Sequence, residues 1–180
     1  MRVFQTISLF ALVAVAGCAV YPTTRTYFEP NASDGKPSPS MSCGYHRAKN
    51  DSLVRDTKDL HIQVTPYYKE GENLKVTILF QSDKDNVEIN PRAIGIKAHQ
   101  SGKVIYPSSI KITNQLPRNN WPYYSKWVYL TFPISSDSLI SIAVTFKRSS
   151  ILVNGRVINI QQFRFKKATK SDIYYGSINC

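Results

Sequence analysis

The chain predicts an all-β fold, an antiparallel β-sandwich of about seven to nine strands, and three observations carry that prediction. Apolar residues recur at every second position from Leu60 onward, the period of strands half-buried on one face. Turn signals such as Glu70-Gly71-Glu72 and Ser101-Gly102 separate those runs at short spacing. Near the C-terminus, Asn154-Gly155 is the preferred pair for a two-residue hairpin turn. The 180 residues are 42% hydrophobic and 19% charged, an ordinary balance for one folded domain. No apolar run reaches the ~20 residues of a conventional membrane-spanning helix.

The N-terminus reads as an export signal. Met1-Arg2 precedes the apolar stretch Val3 to Val15, followed by the small residues Ala16 and Gly17. Val15-Ala16-Gly17-Cys18 resembles the lipobox of bacterial lipoproteins, an aliphatic residue and two small ones before an obligatory cysteine. The resemblance covers the first 18 positions. It implies that residues 1–17 are a cleaved signal peptide, and that Cys18 is a lipid-attachment site carrying a diacylglycerol and an N-acyl chain. With more than one acyl chain, membrane anchoring is stable rather than marginal. Ala19 is not the aspartate that favours inner-membrane retention in enterobacterial members of the class, so the resemblance also implies an outer-membrane address, its face undecided. Three cysteines leave an odd one in an exported protein. With Cys18 lipidated, Cys43 and Cys180 remain as an expected disulfide, closing a loop of about 140 residues and stabilising the fold by at most roughly 5 kcal/mol.

Residues 18–42 hold Pro22, Pro30, Gly35, Pro37 and Pro39 among serines and threonines, without periodicity, and are expected to be a flexible tether. A single domain then spans 43–180. Between Cys43 and Lys58 the chain is polar, with a possible helical turn around Asn50 to Asp56 and a solvated group of Asp51, Asp56 and Asp59. The first core faces are Leu60, Ile62 and Val64, then Leu74, Val76, Ile78 and Phe80, then Ile94, Ile96 and Ala98. Short strands follow at Val104 to Tyr106 and Ile110 to Thr113. Val128, Leu130, Phe132 and Ile134 form another core face, and so do Ile140, Ile142, Val144 and Phe146. The layout resembles immunoglobulin-like or transthyretin-like sandwiches in pattern, although the immunoglobulin Cys-Trp-Cys spacing is absent.

A type I′ turn at Asn154-Gly155 sets a register in which paired residue numbers sum to 309. Phe146 then opposes Phe163, and Ile151 opposes Ile158. Apolar parity switches on both strands between these pairs, so a twist or paired bulge is expected near Lys147 to Ser150 and Gln161-Gln162. The tip would pack on a different surface from the base, with Arg164 and Lys166 pointing outward.

Two candidate binding features stand out. The formal net charge is +11, and residues 147–180 hold seven bases against one acid. Lys147, Arg148, Arg164, Lys166, Lys167 and Lys170 form a candidate basic patch for anionic lipid headgroups, glycan phosphates or an acidic protein face. The plainer reading is a solvated edge that resists strand pairing. The segment Leu116 to Trp127 interleaves rings with bases and amides. Arg118, Trp121, Tyr123, Tyr124, Lys126 and Trp127 are candidate glycan-binding residues, with Trp127 and Tyr129 on the face opposite the core. Alternatively, these rings cover an open end of the fold.

Signals for catalysis or metal binding are weak. His46, His61 and His99 have no paired ligand spacing, and no nucleophile-elbow, Walker or dinucleotide motif occurs. The chain is expected to be a non-catalytic interaction or assembly module of the bacterial envelope, without cofactor, held at the membrane by lipid and contacting an envelope protein. The alternative is an envelope-glycan binder. Export argues against nucleic acid as the partner of the basic charge.

Overall fold

The computed structural model describes residues 18–40, 50–98 and 102–177, and their side chains between 22 and 171. The described residues are almost entirely strand and loop, with three 3-10 turns at Ala32–Asp34, Pro91–Ala93 and Ser136–Ser138. Fourteen strands follow in chain order: β1 (Cys18–Pro30), β2 (Lys36–Ser38), β3 (Ser52–Asp56), β4 (His61–Tyr67), β5 (Asn73–Ser82), β6 (Val87–Ile89) and β7 (Ile94–Ala98). The remainder are β8 (Val104–Ile105), β9 (Ser109–Gln115), β10 (Tyr124–Ser135), β11 (Ser141–Phe146), β12 (Ile151–Val153), β13 (Arg156–Val157) and β14 (Phe163–Ser177). Nine of these have five residues or more, which reconciles the count with the seven to nine expected.

The strands form three antiparallel sheets. The first has the order β1-β14-β11-β7-β8, the second β2-β3-β4-β5-β10-β9, and the third β13-β12-β6. The alternating runs make the first two sheets a sandwich. Phe28, Ile94, Ile96, Ile142, Val144, Phe163 and Phe165 from the first sheet meet Leu53, Ile62, Val64, Val76, Ile78, Phe80, Val128, Leu130 and Phe132 from the second in one buried cluster. Each such side chain contributes roughly 1.5–3 kcal/mol by leaving water. Val87, Ile151 and Val153 of the third sheet join the same cluster and close one end. Ile140 departs from the expected core face. It lies one residue before β11 and is 56% exposed, because strand pairing of β11 begins only at Ser141.

Residues 18–40 correct the expectation of an irregular tether. β1 pairs with β14 over thirteen residues, from Cys18 opposite Ser177 to Pro30 opposite Phe165. Only the first four residues of β14, Phe163 to Lys166, also pair with β11. Beyond them β1 and β14 continue as a two-stranded ribbon. Its cross-strand partners include hydroxyl pairs, Thr24 with Ser171 at 2.6 Å and Thr26 with Thr169 at 2.9 Å. Phe28, fully buried, fastens β1 to the core. After β1, Asn31 caps the first 3-10 turn by accepting from the Ser33 N–H at 3.1 Å. Gly35 then lets the chain pass close to β3, since a Cβ there would stand 2.6 Å from the Val54 carbonyl oxygen. The helical turn expected around Asn50 to Asp56 is strand β3 instead. Leu53 is its inward residue, and pairing with β2 and β4 outweighs the weak local preference.

The final hairpin holds its expected register at the tip only. Asn154 and Gly155 have φ of 53° and 70°, as a type I′ turn requires, and Leu152 opposes Val157. At the base, Ile142 opposes Phe165 and Val144 opposes Phe163, so the pairing has slipped by two residues and Phe146 does not oppose Phe163. The slack lies on the first strand, where a turn at 147–150 closes with the Ser150 N–H on the Lys147 carbonyl at 2.9 Å. Past that turn β12 leaves the first sheet and pairs with β6, so the tip does pack on a different surface. The Phe146 and Phe163 rings still meet edge to face across the diagonal, at 5.8 Å.

The Ser150 hydroxyl is buried under this turn with no hydrogen-bond partner among the described residues. Ser150→Ala is therefore expected to leave stability unchanged or raise it by up to about 1 kcal/mol, whereas Phe163→Ala should cost about 3–5 kcal/mol. Urea unfolding of the two variants checks both values.

Candidate functional site

The aromatic segment is a hairpin connection rather than one continuous loop. β10 pairs with β9 from Ser125 opposite Gln115 to Thr131 opposite Ser109, so Tyr124, Lys126 and Trp127 already lie in strand. Within the connection, Arg118 and Trp121 exchange two backbone hydrogen bonds of 2.8 Å around Asn119-Asn120. The Trp121 indole N–H donates to the Ser125 hydroxyl at 2.7 Å, pinning that ring to the start of β10. Tyr123, partly exposed, lines a separate groove of about 340 Å³ with Asp56, His61 and Gln81.

Strand alternation sorts the rest. Tyr124 and Lys126 share the parity of the buried Val128. The Lys126 ammonium donates to the Val87 carbonyl at 2.6 Å and stands 3.3 Å from the Asp85 carboxylate, so this candidate ties β10 to the third sheet. Trp127 and Tyr129 have the other parity and point away from the core, as expected. They line a groove of about 650 Å³ with Thr113, Asn114, Gln115, Leu116 and Arg118. Of the sequence candidates, Arg118 and Trp127 line this groove; Trp121 is bridged to Arg118 through the backbone but does not line it, nor do Tyr123, Tyr124 and Lys126. The structure adds Tyr129, Thr113, Asn114, Gln115 and Leu116. Of these, only Tyr129 is signalled by sequence parity; the β9 residues arrive through a register that the sequence does not state.

The basic residues of the C-terminal fifth do not form one patch. On β14, Arg164 and Lys166 point outward as expected, but Arg164 is held by Asp34 and Lys170 by Glu29. Lys167, of opposite parity, donates to the Asp137 carbonyl at 2.6 Å and lies 5.6 Å from the Tyr68 ring centre. Lys147 sits 4.7 Å over the Tyr106 ring, and exposed Arg148 lies in the turn after β11. Lys166 remains at a groove of about 770 Å³ on the outer face of the first sheet, where the small Ser141 and Ala143 form the floor and Lys97 the far side.

The tightest charge cluster was not singled out by sequence pattern. Arg164 grips Asp34 through Nε at 2.8 Å and Nη2 at 2.6 Å, and its backbone N–H adds a third bond at 2.8 Å. The Asp34 side chain is only 9% exposed. Arg55 donates to the Asp34 and Gln161 carbonyls and lies 4.3 Å over the Phe163 ring. The Arg164 hydrogen bonds hold the Asp34 carboxyl below its ordinary range against the opposing effect of burial. Burial lowers the Arg55 pKa, while Asp34 raises it. Further along β14, where Lys167 meets it, Asp137 accepts from the Tyr68 hydroxyl and the Gly71 N–H, both at 2.7 Å, and the Tyr68 phenol is pushed up to about 12 by that carboxylate. Glu72, between Lys69 and Lys75, is brought down to about 2 by hydrogen bonds from both ammonium groups.

The three aspartates expected in solvent have different fates. Asp51 is buried and accepts from the Ser40 N–H at 2.6 Å, Asp56 bonds the His61 Nδ1 at 2.6 Å, and Asp59 is exposed. Cys43, Cys180, His46 and His99 lie outside the described residues, as does the Cys18 side chain, and the expected disulfide therefore lies outside them too. Among the described residues no three His, Cys, Asp or Glu side chains converge as metal ligands, and no helix is long and apolar enough to cross a membrane. No family model, curated protein or solved structure matches the chain.

Because the folded Asp34 pKa is depressed, its stabilisation is fully present above the ordinary value of about 3.9 and is lost as pH falls through the folded value. Asp34→Asn should therefore melt below the parent protein at pH 7, and the gap should close as pH drops below about 4. Thermal unfolding across pH 2.5–7 (roughly the span of carboxylate titration) measures it.

Proposed function

We propose that the protein is an outer-membrane lipoprotein whose β-sandwich serves as a non-catalytic interaction or assembly module of the bacterial envelope. The observation that carries this reading is the position of Cys18 in the fold. It lies on β1 opposite Ser177, on the part of the ribbon remote from the sandwich core. Lipid on that residue would hold the module at a set distance. The ten residues from Cys18 to Tyr27 span about 33 Å at roughly 3.3 Å per residue. A paired ribbon constrains orientation more than a random coil would, and membrane holding raises the effective concentration toward envelope partners.

The ionisable groups favour a binding role over catalysis. The acids with lowered pKa among the described residues, Asp34, Glu72 and Asp137, are engaged by neighbouring Arg, Lys, Tyr and backbone donors. Such pairings stabilise local structure and hold these three acids in place. The partner surface that fits best is the edge of the second sheet. β9 is its terminal strand, with Ile112 and Leu116 exposed beside unpaired backbone groups.

Cys18→Ser should abolish incorporation of labelled palmitate and shift the protein from the membrane to the soluble fraction. Unchanged labelling and sedimentation of the variant would overturn the anchoring reading.

A further inference from the structure

We propose that the outer face of β9 and β10 is a binding site for an anionic glycan, with sugar rings stacking on Trp127 and Tyr129 and acidic substituents meeting Arg118 and Lys111. This is independent of the anchoring reading, since it holds whether or not Cys18 carries lipid.

The two rings stand two residues apart on one face of one strand, so their Cα atoms are about 7 Å apart and their side chains are neighbours along the sheet. Tyr129 is 40% exposed. Across the register, Thr113 lies opposite Trp127, Lys111 opposite Tyr129, and Gln115 opposite Ser125. The groove therefore combines two aromatic surfaces, a hydroxyl, two amides and a guanidinium in about 650 Å³, and none of its lining residues is a carboxylate. Pyranose rings present C–H faces that lie flat on aromatic rings and hydroxyls at their rims that bond amides, which is the chemistry this groove offers.

The state of the polar groups strengthens the assignment. Lys126, Arg164 and Lys170 are all engaged by carboxylates or carbonyls, and Trp121 by a hydroxyl. Arg118, Lys111, Asn114 and Gln115 make no side-chain hydrogen bond or ion pair with the described residues. Two unengaged cations beside two rings, without a neighbouring acid in the groove, select an acidic polymer over a neutral one.

Trp121→Phe in the full chain leaves Trp127 as the only tryptophan and makes its fluorescence a local reporter. The probes are polygalacturonate, dextran phosphate and uncharged dextran. Trp127 emission should shift with the two charged polymers and bind them at least about tenfold more tightly than dextran at low salt. Tyr129→Ala should weaken binding roughly tenfold at any salt concentration. Arg118→Ala or Lys111→Ala should weaken it roughly fivefold at low salt and reduce its salt dependence. Circular dichroism melts confirm that these surface variants fold. No emission change with any polymer would overturn the proposal. Equal affinity for dextran would overturn the anionic specificity, and binding that salt abolishes but Tyr129→Ala leaves unchanged would overturn the stacking site.

Discussion

The fold depends on the antiparallel pairing of β1 with β14. It joins the start of the described chain to its end over thirteen residue pairs, and it delivers Phe28 to the core beside Phe163 and Phe165. Remove β1 and β14 loses one of its two neighbours, while the inward faces of the sandwich lose a fully buried ring. The 3-10 turn that follows β1 then exists in the right place to receive Arg164. The Asp34 carboxylate is gripped from β14, and Arg55 on β3 donates to its backbone carbonyl, so one residue links the two sheets. The contact is non-local in the extreme, which makes its loop-closure cost among the largest the chain meets in folding.

Where a strand has one face in the core and one in solvent, the sequence records it. Val128 to Phe132 alternate because every second side chain leaves water, and Leu74 to Phe80 keep the same apolar period although Thr77 and Leu79 on the other face are buried as well; the two runs are neighbouring strands inside the second sheet. Asn154-Gly155 marks its turn because only residues tolerant of positive φ fit there. β1 was illegible for the same reason in reverse. Between Pro22 and Tyr27 the ribbon has no side in the main core, so nothing imposes a two-residue period, and threonines paired across the strands look like a polar linker. Ser52 to Asp56 misled in another way. Ser52, Leu53 and Val54 are all buried, on both faces of the strand, so no alternation of apolar and polar residues marks it as strand.

The candidate site shows the same division. Trp127 and Tyr129 could be assigned to the outer face by parity alone, whereas Lys126 could not be recognised as a structural cation without knowing that β6 ends the sandwich beside it. The basic C-terminal fifth looked like one patch because it is contiguous in sequence. Strand alternation and ion pairing divide it: Arg164 and Lys166 line one groove, Lys167 turns to the other side of β14, and Asp34, Glu29 and the Asp137 carbonyl engage Arg164, Lys170 and Lys167.

The ribbon also sets a mechanical path. A pull on Cys18 directed away from the sandwich runs along the covalent chain of β1 and enters the domain at Pro30, with part of it passed across the register to β14. Tension along that axis shears the β1–β14 hydrogen bonds collectively instead of opening them one by one. The force then arrives at Asn31 to Asp34, where the Asn31 N–H donates to the Arg164 carbonyl and the Arg164 side chain grips Asp34. That small turn is the anchorage of the whole domain, the point at which a load on the stem is passed to both sheets at once.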